Sequence, residues 1–367
     1  MEFWILFAMV VAGLGLFPSI FLKNEENIFA ICLLVVLIFI SGFRYQIGWD
    51  YSNYERLFYT QGDLLEGYIE PSFIFLITFL KEFGFSAQMM FFVYTVLTLL
   101  LVYFAAKYYT NRPALFMSIY ALIPYLFWNS MGNIRNYLAV AILFWGSRFL
   151  AENKFFLYMI IVAAATSVHT SASVFFILAP LLKFKYSLKV HILLSSLCFI
   201  LSVGGISFFL MSQLFNFFDV KYAQYLLSSL STSLGIENVL ISTTLWILAL
   251  FLLMKEYQKT QSDPRIVLIA NMATFSFVAM EFFYFSYELE RIRDYGFPFF
   301  IASLIIILDK HISMRFSKEI TALCVAFMVV VFLLFVNMFG NNIDGKTSQV
   351  LSAGNIYYEF NFELQEK

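Results

Sequence analysis

The chain has 367 residues, of which 61% are hydrophobic and 13% charged, with a mean hydropathy of +0.81 and a formal net charge of −1. A soluble globule of that composition would lack the polar surface water requires, and nothing in the charge suggests a nucleic-acid footprint. The expected class is an all-α polytopic membrane protein.

A crossing needs about 20 apolar residues. By that measure the segments 3–22, 26–43, 86–106, 113–130, 132–150, 155–168, 171–183, 188–212, 238–255, 265–286, 295–309 and 319–339 give about 12 transmembrane helices. The first run lacks a basic leader and a small-residue cleavage site, so it reads as a retained helix. After the second span, "SNYE" (Ser52 to Glu55) fits a capping box, and Tyr54, Leu57 and Phe58 share one face, which predicts a short amphipathic surface helix over 53–60. Next comes "PSFIFLITFLKEFGF", 71–85, which is short, opens with proline and carries Lys81 and Glu82. It reads as a re-entrant or interfacial element rather than a crossing.

With that parity, one face collects 14 of the 23 basic residues against 7 of the 24 acids. The positive-inside rule makes that face cytoplasmic. Both termini, the loops 44–70 and 213–237 and the tail 340–367 then lie outside, and residues 1–367 form one helical domain whose external loops carry the active site. Cys32, Cys198 and Cys324 fall within apolar runs and read as packed thiols without disulfide or metal-ligand spacing. His191 and His311 lie toward the cytoplasmic side, where a solvated or interfacial role is expected.

Most cytoplasmic Lys and Arg stand at span ends, where they orient the protein. The outer face is different, because Arg44, Arg135, Arg291 and Arg293 run against the orientation bias. Arg135, in "FWNSMGNIRNYLAVAILFW", lies near the first turn of a span, where a cation is locally unfavourable unless an anion is present. That anion is either a bound phosphate or an acid from another loop. "YELERIRDYGFPFF", 287–300, allows Glu288 to reach Arg291 and Glu290 to reach Arg293; a guanidinium left over there is available to a phosphate, with Tyr295 next to it. His169, in "AAATSVHTSASVFF", is the external histidine, either a general base or relay, or a capping and packing residue. Asp50 precedes the short surface helix and either favours its start or sits beside Arg44 in an external cavity, with Gly48 allowing a tight bend.

Taken in order, "RYQIGWDYSNY", "NIRNYLA", "HTSA" and the late arginine-rich stretch resemble the Wzy-type polysaccharide polymerases, in particular the EpsG-like branch. Arg44, Gly48, Asp50, Tyr51 and Tyr54 match its R-x3-G-x-D-Y-x2-Y pattern, and Glu70 with Pro71 matches an "EP" that follows. The resemblance covers residues 1–180 well and the remainder by layout. It implies a bacterial inner-membrane enzyme, working at the periplasmic face, that moves a growing O-antigen, capsule or exopolysaccharide chain from undecaprenyl pyrophosphate onto a lipid-linked repeat unit.

Neither GxGxxG, Walker loop, HExxH nor DxD is present, so no cofactor and no metal are expected. In that scheme Arg44, Arg135 and Arg291 or Arg293 bind pyrophosphate, Tyr51, Tyr54 and Tyr295 line the substrate site, and Asp50 or His169 takes the acceptor proton. The partners are the lipid-linked donor and acceptor, the bilayer and, where the resemblance extends to it, a chain-length regulator. An O-antigen ligase and a flippase of lipid-linked sugars are the alternatives.

Overall fold

The computed structural model describes residues 2–48, 50–60, 69–123, 126–203, 205–217, 263–283, 291–311 and 317–341. Among them every regular element is helical. The expected span 238–255, the loop 213–237 beyond residue 217, the tail from residue 342 and the acids Glu288 and Glu290 lie outside the described residues. The chain divides into two compact units, the first containing 1–149, 154–176 and 313–367, the second 150–153 and 177–312.

In the first unit, α1 (Glu2–Phe21) and α2 (Glu26–Gly42) are joined by a 3-10 turn, Lys23–Glu25. They pack on α5 (Ala87–Tyr109) and α6 (Pro113–Leu122). Short helices α3 (Tyr51–Tyr59), α4 (Pro71–Glu82) and α7 (Phe127–Gly132) lie between these longer ones in the chain, and α8 (Ile134–Ala151) and α9 (Phe155–Val168) follow; most of the next helix, α10 (Val174–Leu182), is assigned to the second unit. The core is apolar and aromatic: Trp4, Phe7, Phe127, Trp128 and Phe332 are each at most 4% exposed. The buried carboxylate of Glu26 is paired, as burial away from water demands. Glu26 accepts from Ser19 Oγ at 2.5 Å and from the Ala114 amide at 3.0 Å, which satisfies a free N–H at the start of α6.

In the second unit, α11 (Leu188–Val203) and α12 (Ile206–Phe217) precede α13 (Pro264–Phe282) and α14 (Phe297–His311); α15 (Ser317–Asn341) returns the chain to the first unit and packs on α1. Helix α13 packs on α11 and α14. Its partner α11 is polar inside and apolar outside: its buried residues are His191, Ser195 and Ser202, while Leu193, Leu197 and Ile200 are exposed. That is the arrangement expected when the surroundings are lipid.

Three of the described helices, Phe3–Phe21, Ala87–Tyr109 and Pro264–Phe282, are long and apolar enough to cross a membrane, and the bent pair α11–α12 makes a fourth if it counts as one span. Six shorter apolar helices accompany them. The protein is a multi-pass membrane protein; twelve crossings remain the sequence expectation.

Two expected continuous spans are broken. The 113–130 segment stops at Leu122 because Ile123 precedes Pro124 and is therefore extended (ψ 112°). The 188–212 segment bends by 81° beside Gly205, whose φ is +70°. The Ser52–Glu55 capping box does not form. Helix α3 starts one residue before Ser52, at Tyr51, and Asp50 holds the N-cap position without a side-chain cap. Neither is His191 solvated: it is 2% exposed, with Nδ1 2.9 Å from Thr274 Oγ1. Cys32, expected to be packed, is an exposed free thiol on α2, and Cys198 is half-buried.

Candidate active site

The site begins at a proline. The residue before Pro71 is confined to extended backbone, and Glu70 has φ −64° and ψ 141° there. Its carbonyl accepts from Phe73 N at 3.0 Å to start α4, while its carboxylate meets two other elements. From the first turn of α8, Arg135 Nη1 donates to Glu70 Oε2. From the end of α9, His169 Nδ1 lies 2.7 Å from Glu70 Oε1, and the Thr170 amide reaches the same oxygen at 3.3 Å.

Local chemistry explains why α9 stops at His169. Thr166 Oγ1 and Ser167 Oγ bond back to Val162 O and Ala164 O, at 2.8 and 2.7 Å. Such side-chain bonds compete with helix continuation. The His169 amide still bonds Ala165 O at 2.9 Å, but its backbone is extended, and a 3-10 turn, Thr170–Ser173, follows. Ser72 Oγ donates to Ser167 O at 2.7 Å, which fastens the start of α4 to the end of α9.

The three side chains are mostly enclosed, at 10% exposure for Glu70, 20% for Arg135 and 21% for His169. Burial by itself would raise the Glu70 carboxyl. The His169 hydrogen bond and the Arg135 charge outweigh it and bring Glu70 down to about 2. Glu70 is therefore ionised at any physiological pH.

Aromatic rings position the guanidinium. Arg135 Cζ lies 5.5 Å from the Tyr54 ring centre and 5.3 Å from that of Phe73, and its Nε is 3.5 Å from Tyr54 Oη. Among the described residues its Nη2 has no hydrogen-bond partner, so one edge of the fork stays open. A neutral His169 that donates Nδ1–H to Glu70 carries its lone pair on Nε2. One carboxylate thus holds an imidazole and a guanidinium side by side.

Arg44 is placed otherwise. It is 0% exposed, and its donors go to backbone carbonyls: Nε to Ile47 O at 3.1 Å, Nη1 to Ser41 O, and Nη2 to Met131 O at 2.8 Å. Its Cζ sits 4.8 Å from the Phe91 ring centre. Among the described residues no carboxylate lies within ion-pair distance of it. Asp50, read either as favouring the start of the short helix or as lying beside Arg44, stands at the N-cap position of α3 and accepts from Asn53 Nδ2 at 3.3 Å. Gly48 has φ +117°, and an added Cβ would stand 2.5 Å from Met131 O, so the loop and the α7 segment meet where only glycine fits. Tyr51 is buried, stacked on Phe91 at 4.3 Å, and its hydroxyl lies 3.3 Å from Gln88 Oε1.

Arg291, Arg293 and Tyr295 belong to the second unit, on a 3-10 turn packed against α13. Arg293 is 5% exposed, with Nε 3.5 Å from Asp294 Oδ1; Tyr295 is fully buried. The expected pairings with Glu288 and Glu290 lie outside the described residues.

Of the expected site residues, the structure brings Tyr54, Arg135 and His169 together. Arg135 has its anion from another loop, the second of its two readings. The residue missed is Glu70, noted only as half of an "EP" pair. Its signal was an acid confined by proline on the same expected face as Arg135 and His169.

The fold and site together define a polytopic membrane protein with a buried carboxylate that joins an imidazole to a guanidinium. The chain belongs to the EpsG family, which it matches over residues 27–352, a range that contains every residue of the site. That membership points to a polymerase-like role in exopolysaccharide or O-antigen assembly. No curated protein and no solved structure matches the chain.

Proposed function

We propose that the protein is a polysaccharide polymerase that transfers a growing glycan from undecaprenyl pyrophosphate onto a lipid-linked repeat unit, at the periplasmic face of a bacterial inner membrane. The observation that carries this reading is the single carboxylate, Glu70, shared by His169 and Arg135.

In this mechanism His169 Nε2 takes the proton from the acceptor hydroxyl as its oxygen attacks the anomeric carbon of the donor. The bond from that carbon to the pyrophosphate oxygen breaks. Glu70 holds the imidazole in the tautomer that leaves Nε2 free and stabilises the imidazolium that forms. Arg135 offers its open Nη2 edge to the departing pyrophosphate, whose charge grows as the bond breaks. The leaving group is already activated, so no acid is required to protonate it.

His169 is preferred to Asp50 as the base because it has an ionised partner to hold it, whereas among the described residues the Asp50 carboxylate meets Asn53. Tyr54 supports Arg135 from below. Arg44 and Tyr51 are assigned to keeping the 43–51 loop in place.

The reading is tested in cells by the polysaccharide ladder on a gel. Loss of the protein should leave single repeats attached to their acceptor, as it should for His169→Ala made at normal abundance. Bare acceptor without any repeat would instead mark a ligase.

A further inference from the structure

Inside the first unit a small cavity of about 10 Å³ lies between α2, α5, α7 and the start of α8. Leu99 and Ile134 close part of it, but five of its lining side chains carry hydroxyls: Ser41 on α2, Tyr94, Thr95 and Thr98 on α5, and Ser130 on α7. Cavities that stay empty are lined by hydrocarbon, and this one is not.

Three of those hydroxyls are engaged within the protein. Ser41 Oγ and Thr95 Oγ1 lie 3.2 Å apart, and Arg44 Nη1 stands 3.4 Å from Thr95 Oγ1. Ser130 Oγ donates to Phe127 O at 2.6 Å and keeps its lone pairs. Tyr94 and Thr98 differ. They are 2% and 5% exposed, and among the described residues neither hydroxyl makes a hydrogen bond. They stand one turn apart on α5 and line the same cavity. An unbonded buried hydroxyl is costly, and native proteins satisfy such groups with protein atoms or with ordered water.

Size and charge then narrow the occupant. About 10 Å³ is room for one water and nothing larger. The Arg44 guanidinium beside Thr95 disfavours a metal cation, and a wall of hydroxyls does not suit a hydrocarbon group.

We propose that this cavity is a binding site for one internal water, which accepts from the Tyr94 and Thr98 hydroxyls and donates toward Ser41 and Ser130. Such bridging bonds are nearly as favourable as direct ones. The water extends the Arg44 joint into α7 and to Tyr94, whose ring centre lies 6.2 Å from that of Phe73, the ring against which Arg135 packs. The inference is independent of the reaction proposed above, since none of the four residues on the water takes a step in it.

The test uses the purified full-length protein in detergent. A density map fine enough to show ordered water should place one peak in the cavity, about 2.5–3.0 Å from the Tyr94 and Thr98 hydroxyl oxygens. Tyr94→Phe and Thr98→Val each remove a hydroxyl with little change of shape, and each should lower the unfolding temperature. Because both lose the same water, the double variant should fall little further than the worse single one. Hydroxyls that share no water would act separately, and their losses would add. A cavity without a peak, a peak beyond reach of both hydroxyls, or additive losses would overturn the proposal; should the double variant fail to fold, a map of Thr98→Val that keeps the wild-type peak at full strength would overturn it instead.

Discussion

Arg44 and Arg135 lie in the same unit, both against aromatic rings, and do opposite things. Arg44 is sealed from solvent with its donors on the carbonyls of Ser41, Ile47 and Met131, so it ties two chain segments together. Arg135 is one-fifth exposed, shares an ionised carboxylate with a histidine and keeps one guanidinium edge open. The lesson is that a motif arginine is read by where its donors end. Backbone carbonyls make a structural joint, whereas a carboxylate shared with an imidazole makes the site to which the proposed function assigns the substrate.

The largest effect expected from that contrast is on rate. His169→Ala should slow chain growth by about 10²- to 10⁴-fold, the usual worth of a general base, with unfolding temperature in detergent unchanged. Glu70→Gln should lose a large part of the same factor, since an amide cannot stabilise the imidazolium. Arg44→Ala should do the reverse. It leaves three buried carbonyls without donors, at about 1–3 kcal/mol each, so membrane abundance and thermal stability should fall while the turnover of surviving molecules holds. Should Arg44→Ala fold as wild type and lose activity, the contrast would be wrong.

A third effect is set by acidity. Glu70 is held well below its ordinary 4.5, at about 2, so its contribution to stability is complete above about 4.5 and is lost as pH falls through about 2. Infrared titration of the labelled carboxylate should show it ionised in mildly acidic buffer, and Arg135→Ala should move its protonation upward. The smallest effect is at Tyr54→Phe, which removes one hydrogen bond to Arg135 of about 0.5–1.5 kcal/mol; polymer yield should drop several-fold at most.

Much of the helical framework was legible in the sequence because apolar runs and proline or glycine punctuation are local signals. The expected 26–43, 71–85 and 155–168 segments correspond to α2, α4 and α9 almost to the residue. Breaks inside apolar runs were harder. Pro124 and Gly205 stand in the sequence, but neither interrupts the hydropathy of its segment, so a reading by apolar runs passes over both breaks. At the site, Arg135 and His169 stood out by residue type and position. Glu70 did not, because its partners lie 65 and 99 residues away and no spacing rule connects them. Arg44 shows the opposite difficulty: a guanidinium that satisfies itself on carbonyls looks, in sequence, the same as one awaiting a phosphate.

Purified protein given lipid-linked repeat units in detergent offers the most direct test. Wild type should convert them to a ladder of longer glycans, and Glu70→Gln and His169→Ala, folded and at equal concentration, should leave the single repeat unchanged. Wild-type protein that yields no longer product, as a transporter would, or a Glu70→Gln protein that polymerises at the wild-type rate, would contradict the account.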